Sequence, residues 1–204
     1  MVNKWFGIHD GLAAAGRIPS ISGIREHISA WEVFLLLICG SAAAAMVETI
    51  KLGLRLPGHA ILLSMIPMAL GLALAPRRSA GFIMSAGALS TAIILNQAGL
   101  VRYGAGSFVS LCLLGPTMDL VLAKARSGWR LYSGLILAGF ITNGLALASR
   151  STAKMLGLDL PGARPFGLWW GQALITYSLC GAIAGLVAAI CFFSLRKKQR
   201  ESQT

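Results

Sequence analysis

Charge is what this sequence has least of. Only 12% of its 204 residues are charged, and acids are the scarcer sign, seven Asp and Glu against eighteen Lys and Arg. A chain that is 56% hydrophobic, with a mean hydropathy of +0.72, offers water too little polar surface to solvate it and reads as an integral membrane protein. Cysteine is sparse and unpatterned: Cys39, Cys112, Cys180 and Cys191 all lie inside apolar runs and form no CxxC pair. That spacing implies neither a disulfide framework nor a zinc site, and the four read as small core residues.

Enzyme signatures are missing too. There is no HExxH helix and no P-loop lysine motif, so neither metalloprotease chemistry nor ATP hydrolysis by that route is available to this chain. An intramembrane serine protease would carry a GxSG-type serine and a later histidine. Here Ser107 is followed by Phe108, and no histidine occurs after His59. His9, His27 and His59 are divided between the N-terminal arm and the first loop, on opposite sides of the expected membrane, and cannot form one metal site. No cofactor is expected, and no catalytic constellation.

What the chain does have is long apolar runs. Residues 1–30 form a polar cytoplasmic arm whose apolar stretch, Gly11 to Gly16, is too short for a cleavable signal. Runs then follow at Trp31–Ile50, Ala60–Ala75, Ser79–Leu95, Ala105–Ala123, Leu131–Ser149 and Gly167–Leu195. About 20 residues cross the hydrocarbon core as a helix. The runs lack the alternation of a closed β-barrel, the other structure that satisfies its backbone in lipid. An all-α bundle of six transmembrane helices over 31–195 is expected, with a basic tail at 196–204.

The net charge of +11 does not indicate a nucleic-acid partner, because the basic residues lie in short segments between the runs. There they set topology and meet anionic lipid. Twelve Lys and Arg fall in the arm, the 76–78 turn, the 124–130 loop and the tail, against six in the other three loops. By the positive-inside rule both termini face the cytoplasm of a multi-pass cell-membrane protein.

Two breaks between runs repeat each other. Leu52–Ala60 reads LGLRLPGHA and Leu156–Arg164 reads LGLDLPGAR, with Arg55 replaced by Asp159. Both are expected on the outer face, where Arg55, Pro57, Gly58 and Asp159 would belong to a lid, and Arg55 could pair with Asp159 across its mouth. Pro-Gly is also an ordinary turn signal. Polar residues of the same half, Glu48, His59, Asn96, Gln97, Asn143, Trp169, Trp170 and Gln172, are binding groups rather than catalytic ones. Asn143 suits an interhelical hydrogen bond as well as a ligand contact. Trp169 and Trp170 begin the last span and suit an aromatic belt at the membrane surface. Pro67 and Pro116 free backbone groups inside spans, which kinked helices around a cavity or plain packing would cover. Asp119 lies at the cytoplasmic end of the fourth span and is expected to pair with basic loop residues. Gly40/Ala44 and Ser41/Ala45 on the first span, and Gly181/Gly185 on the last, form small-xxx-small steps that admit another helix.

The layout resembles the substrate-binding S component of energy-coupling factor (ECF) transporters over roughly residues 31–195. The points of likeness are six helices, a small-residue stripe on the first, a loop after it, and a Pro-x-x-Asp-Leu turn from Pro116 to Leu120. The resemblance implies capture of a micronutrient from outside, followed by transport driven by a transmembrane coupling protein and two ATPases. The family's docking stripe would fall on Gly40, Ser41, Ala44 and Ala45, with Gly/Ala and Ser/Ala steps in place of the usual alanine pair. Cobalt and nickel members carry a histidine after the initiator methionine. Val2 stands there in this chain, so an organic small-molecule substrate is implied. Two other classes fit the composition: a membrane enzyme of lipid or envelope metabolism using His59 and Glu48, and a non-catalytic scaffold of an envelope complex.

Overall fold

The structure, a computed structural model, describes residues 29–50, 57–75, 79–101, 103–124, 128–158 and 165–201. Among them are six helices and no strand: α1 (Ala30–Thr49), α2 (Ala60–Leu74), α3 (Ala80–Gln97), α4 (Ala105–Lys124), α5 (Gly128–Met155) and α6 (Phe166–Glu201). α1, α3, α5 and α6 are long and apolar enough to cross a membrane, while α2 and the apolar part of α4, Ala105–Val121, are shorter. The arm up to residue 28, and Arg55 and Asp159 of the repeated loops, lie outside the described residues.

Local chemistry sets the helix ends. Glu32 accepts the backbone N–H of Ser29 at 3.1 Å, so a side chain one turn in satisfies a donor at the start of α1. α3 and α5 both end on a left-handed glycine, Gly99 (φ 70°) and Gly157 (φ 70°). In each case the next N–H reaches back five residues, Leu100 to Leu95 and Leu158 to Ala153, which closes the last turn over carbonyls that the helix leaves unpaired.

The helices close a ring, packing in the order α1, α3, α4, α5, α6, α2 and back to α1. α2 also packs against α3, α4 and α5, which sets this short helix within the ring. Ten of its 15 residues are buried, among them Met65, Pro67 and Met68, and only the stripe Ile66, Leu70, Leu74 reaches the surface as large exposed side chains. The composition of the bundle runs from small inside to large outside. Ala43, Ala44, Ala80, Ala88, Ala138, Ala184 and Ala188 are fully buried, whereas Phe34, Ile38, Phe82, Ile94, Phe140, Ile175 and Ile183 are exposed. Surface apolar area on this scale suits a bundle bounded by lipid, where helices associate by close packing of small residues.

Glycines make that approach possible. A Cβ on Gly81 or on Gly115 would collide with the other's carbonyl, which brings α3 onto α4. Gly181 meets Gly139, and Gly185 meets Leu135, in the antiparallel α5–α6 pair. Gly40 faces the backbone of Met84 on α3, Ala44 is fully buried, and the Ser41 hydroxyl accepts a hydrogen bond from Thr91 at 2.9 Å. Within the chain, Gly40 and Ser41 of the small-residue stripe serve the α1–α3 contact, Ala44 is fully buried, and Ala45 is half-buried beside them.

Asp119 has a different role from pairing with loop cations. Its carboxylate oxygens accept the N–H groups of Gly81 at 2.9 Å and Phe82 at 2.8 Å, capping the start of α3 from a neighbouring helix. The prolines are absorbed by packing. Pro67 is buried in α2, and beside Pro116 the Gly115 N–H donates to Ser85 at 3.0 Å while Thr117 bonds back to Leu113 and Leu114 and across to Thr142.

Two substitutions test these contacts. Asp119→Asn keeps one acceptor oxygen and loses the charge, leaving an N–H of α3 without its carboxylate. A loss of about 1–3 kcal/mol is expected, read as a lower melting temperature of the purified protein. Ala44→Trp, harmless at an outward-facing position, should abolish monodisperse elution, because Ala44 is fully buried in the bundle.

Candidate functional site

The site is built where α5 and α6 outrun α2. Asn143 of α5 is 2% exposed, and its side-chain amide donates to the carbonyls of Tyr177 on α6 at 2.7 Å and of Gly58, just before α2, at 3.2 Å. Gly58 sits at φ 84°, the left-handed region that favours glycine, and a Cβ there would strike the ring and backbone of Tyr177. The turn into α2 is thus clamped between a buried amide and a buried ring. Twelve residues separate Asn143 from the end of α5, and eleven separate Tyr177 from the start of α6. At 1.5 Å per residue the two helices rise about 16–18 Å past the start of α2.

That upper part of the α5–α6 pair holds its own cluster, apart from the main core: Ala146, Leu147, Trp169, Ala173 and Tyr177, with Phe166 against it. Two cations meet the buried Trp169. The Arg150 guanidinium lies 5.6 Å and the Lys154 ammonium 5.2 Å from the centre of its ring. Such distances give a cation–π attraction to the ring face. Arg150 also donates to the Tyr177 hydroxyl at 3.5 Å, so the ring that holds Gly58 in place is in contact with the cation pair above it. Phe166 stacks on Trp170, 5.4 Å between centres, and tilts against Trp169.

A second connection ties the α3–α4 loop to α1. Tyr103 is buried, its ring against Phe108, and its hydroxyl donates to the Ala44 carbonyl at 3.1 Å. Burial first, and the Glu48 carboxylate second, push this phenol above its ordinary value, so it remains a hydrogen-bond donor through the neutral range.

Of the residues picked from sequence, the structure brings Asn143, Pro57, Gly58, His59 and Trp169 to one end of the bundle, around Tyr177. Asn143 takes the interhelical reading, since its amide donates to two backbone carbonyls. Glu48 is half-buried near Tyr103. Asn96 and Gln97 are exposed at the end of α3, which packs chiefly on α1 and α4 and leaves them in another sector of the ring. Trp170 and Gln172 are exposed on α6. No group of three His, Cys, Asp or Glu suited to a metal occurs among the described residues.

Sequence reading missed Arg150, Lys154 and Tyr177. It ended the fifth span at Ser149, the last residue before a charge, whereas α5 continues to Met155. The signal was present: Arg150 and Lys154 stand four apart, one turn of a helix, which sets both on one face. No known protein family, curated protein or solved structure matches the chain.

The clamp on Gly58 can be measured. Asn143→Leu removes both donors at nearly constant volume, and hydrogen exchange at the amides of His59 to Ile61 should speed up relative to those in the middle of α6. Unchanged exchange would mean that the Tyr177 ring alone holds the turn.

Proposed function

We propose that this protein is the solute-capturing membrane subunit of an uptake transporter, similar in role to the S component of ECF transporters. In this reading it crosses the cell membrane six times with both termini in the cytoplasm. α2 and α4 count as spans because both are packed into the same bundle as the four longer helices. The observation that carries the reading is the convergence at one end of the bundle. There a short central helix begins below its neighbours, and its entry turn is held by Asn143 and Tyr177 beneath Trp169, Arg150 and Lys154. The positive-inside count puts that end outside, facing incoming solute.

A polar and aromatic group at the mouth of an otherwise apolar bundle suits a small organic molecule, with apolar walls for its body and few polar contacts for orientation. Energy would come from elsewhere, from a coupling membrane protein and ATPase subunits, as this chain has no P-loop. The partner would use a surface other than the Gly40–Ala45 stripe.

The test is purification in mild detergent with mass spectrometry of small molecules that co-elute. A stoichiometric organic solute is expected, and substitution of Trp169 by Ala should release it. A ligand-free preparation that nonetheless turns over a lipid or envelope substrate without any ATPase would sink the transporter reading. Topology has its own check. In a cysteine-free background, Leu158→Cys should react with an impermeant maleimide on intact cells, and a fluorescent protein fused after Thr204 should fold and fluoresce in the cytoplasm.

A further inference from the structure

α6 outruns the helices beside it at its C-terminal end. Its register against α5 is set by three contacts of the antiparallel pair, Asn143 with Tyr177, Gly139 with Gly181 and Leu135 with Gly185. Gly128, the first residue of α5, then lies level with Phe192. α2, the other helix on which α6 chiefly packs, runs parallel to it from the Gly58–Tyr177 contact, so its last residue, Leu74, comes about level with Phe193. Ser194 to Glu201 therefore carry α6 past both neighbours for eight residues, about 12 Å. A helix this short is marginal in isolation, but here it prolongs one already nucleated in the bundle.

The membrane surface can be placed on the same scale. Trp129, near the start of α5, is exposed and level with Cys191, and Trp170 is exposed near the start of α6. Along α6 these levels are 21 residues apart, about 32 Å, against about 30 Å for the hydrocarbon core. Tryptophan gathers at both edges of that core, and Leu137, Phe140, Ile141, Ile175, Ile183 and Ile190 are exposed between the two levels. The headgroup layer adds roughly 5–8 Å on each side. Arg130, exposed beside Trp129, stands at that depth and suits contact with anionic lipid. The backbone of Arg196, Lys197, Lys198 and Arg200 lies about 8–14 Å past the Trp129 level, at the aqueous limit of the layer and beyond it.

We propose that this projecting end of α6 is a docking post for an acidic surface on a cytoplasmic protein. It carries four cations and one acid, Glu201. The N-terminal arm, expected on the same side, sets Asp10 and Glu26 against Lys4, Arg17 and Arg25, and so offers the post no net negative charge from within the chain. A lipid anchor would hold its charges at headgroup depth, as Arg130 does. Charges carried off the surface on a helix instead steer an oppositely charged protein out of solution and fix how it lands. The inference rests on the topology of the capture reading and gives its energy-supplying partner a place to dock, at the far end of the helix that bears Tyr177.

The test uses full-length protein in a cysteine-free background, spin-labelled at Gln199→Cys, in nanodiscs of phosphatidylcholine with and without phosphatidylglycerol. The label should stay accessible to an aqueous paramagnetic reagent in both lipids. It should lose mobility on titration with a helical peptide bearing glutamate at one-turn spacing, and keep it with the glutamine counterpart. Arg196→Gln combined with Arg200→Gln should weaken the acidic peptide roughly tenfold, while Arg130→Gln leaves its affinity unchanged. Shielding of the label by phosphatidylglycerol would make the extension a lipid anchor and overturn the proposal. Equal weakening by Arg130→Gln would assign the attraction to the cytoplasmic face as a whole, and no weakening in the double variant would move it off the extension; either result overturns the post. None of these outcomes touches the co-eluting solute by which capture is judged. Reaction of Gln199→Cys with an impermeant maleimide on intact cells would instead overturn the orientation that both readings share.

Discussion

Close backbone approach is the constraint on which this bundle depends. Lipid gives helices no hydrophobic reason to associate, because hydrocarbon tails are as apolar as leucine, and van der Waals contact must do it instead. Such contact grows as side chains shrink, and here glycines stand at three of the ring's joints: Gly40 and Gly87 between α1 and α3, Gly81 and Gly115 between α3 and α4, Gly139, Gly181 and Gly185 between α5 and α6. Polar side chains then bridge the gaps that glycine makes narrow. Ser85 reaches Gly115, Asp119 reaches Gly81 and Phe82, and Thr117 reaches Thr142. Each joins a position on one helix to its neighbour and helps fix the rotation at which the two meet.

The same constraint explains what could be read from sequence and what could not. Helices in lipid must satisfy their own backbone, so apolar runs between charges translate almost directly into elements, and α1 to α4 lie within two residues of the runs that announce them. α5 runs past its apolar run because a charge marks the edge of lipid, and a helix need not end where lipid does. Arg150 and Lys154 are helical and polar at once. The stripe on α1 shows the opposite limit: Gly40 and Ala44 are legible as a packing surface, but a sequence does not say whether the partner helix belongs to the same chain. Asn143 left two readings open, and only the proximity of Gly58, 85 residues away, decides between them.

Tyr177 connects the two layers of the candidate site. Its backbone carbonyl accepts from Asn143, its ring packs on Gly58, and its hydroxyl meets Arg150. A change at the cations is therefore two contacts from the turn that begins the central helix. Under the proposed reading this gives an arriving solute a physical route to α2, which packs against each of the other five helices. Coupling by such a route needs an element with two arrangements. The Gly58 turn, packed by contact rather than by covalent closure, is where one would form.

The shortness of α2 also carries a consequence for how this protein can vary. The level of its first turn relative to the α5–α6 tips is set by a count of residues, not by any particular side chain. A single added turn would lift that level by about 5.4 Å, and a deleted one would lower it by as much. Helix length here works as a ruler. Insertions and deletions in whole turns would change the depth available to a guest while each neighbour kept the same facing residues, whereas an odd residue would rotate Met65 and Met68 out of register with the ring around them.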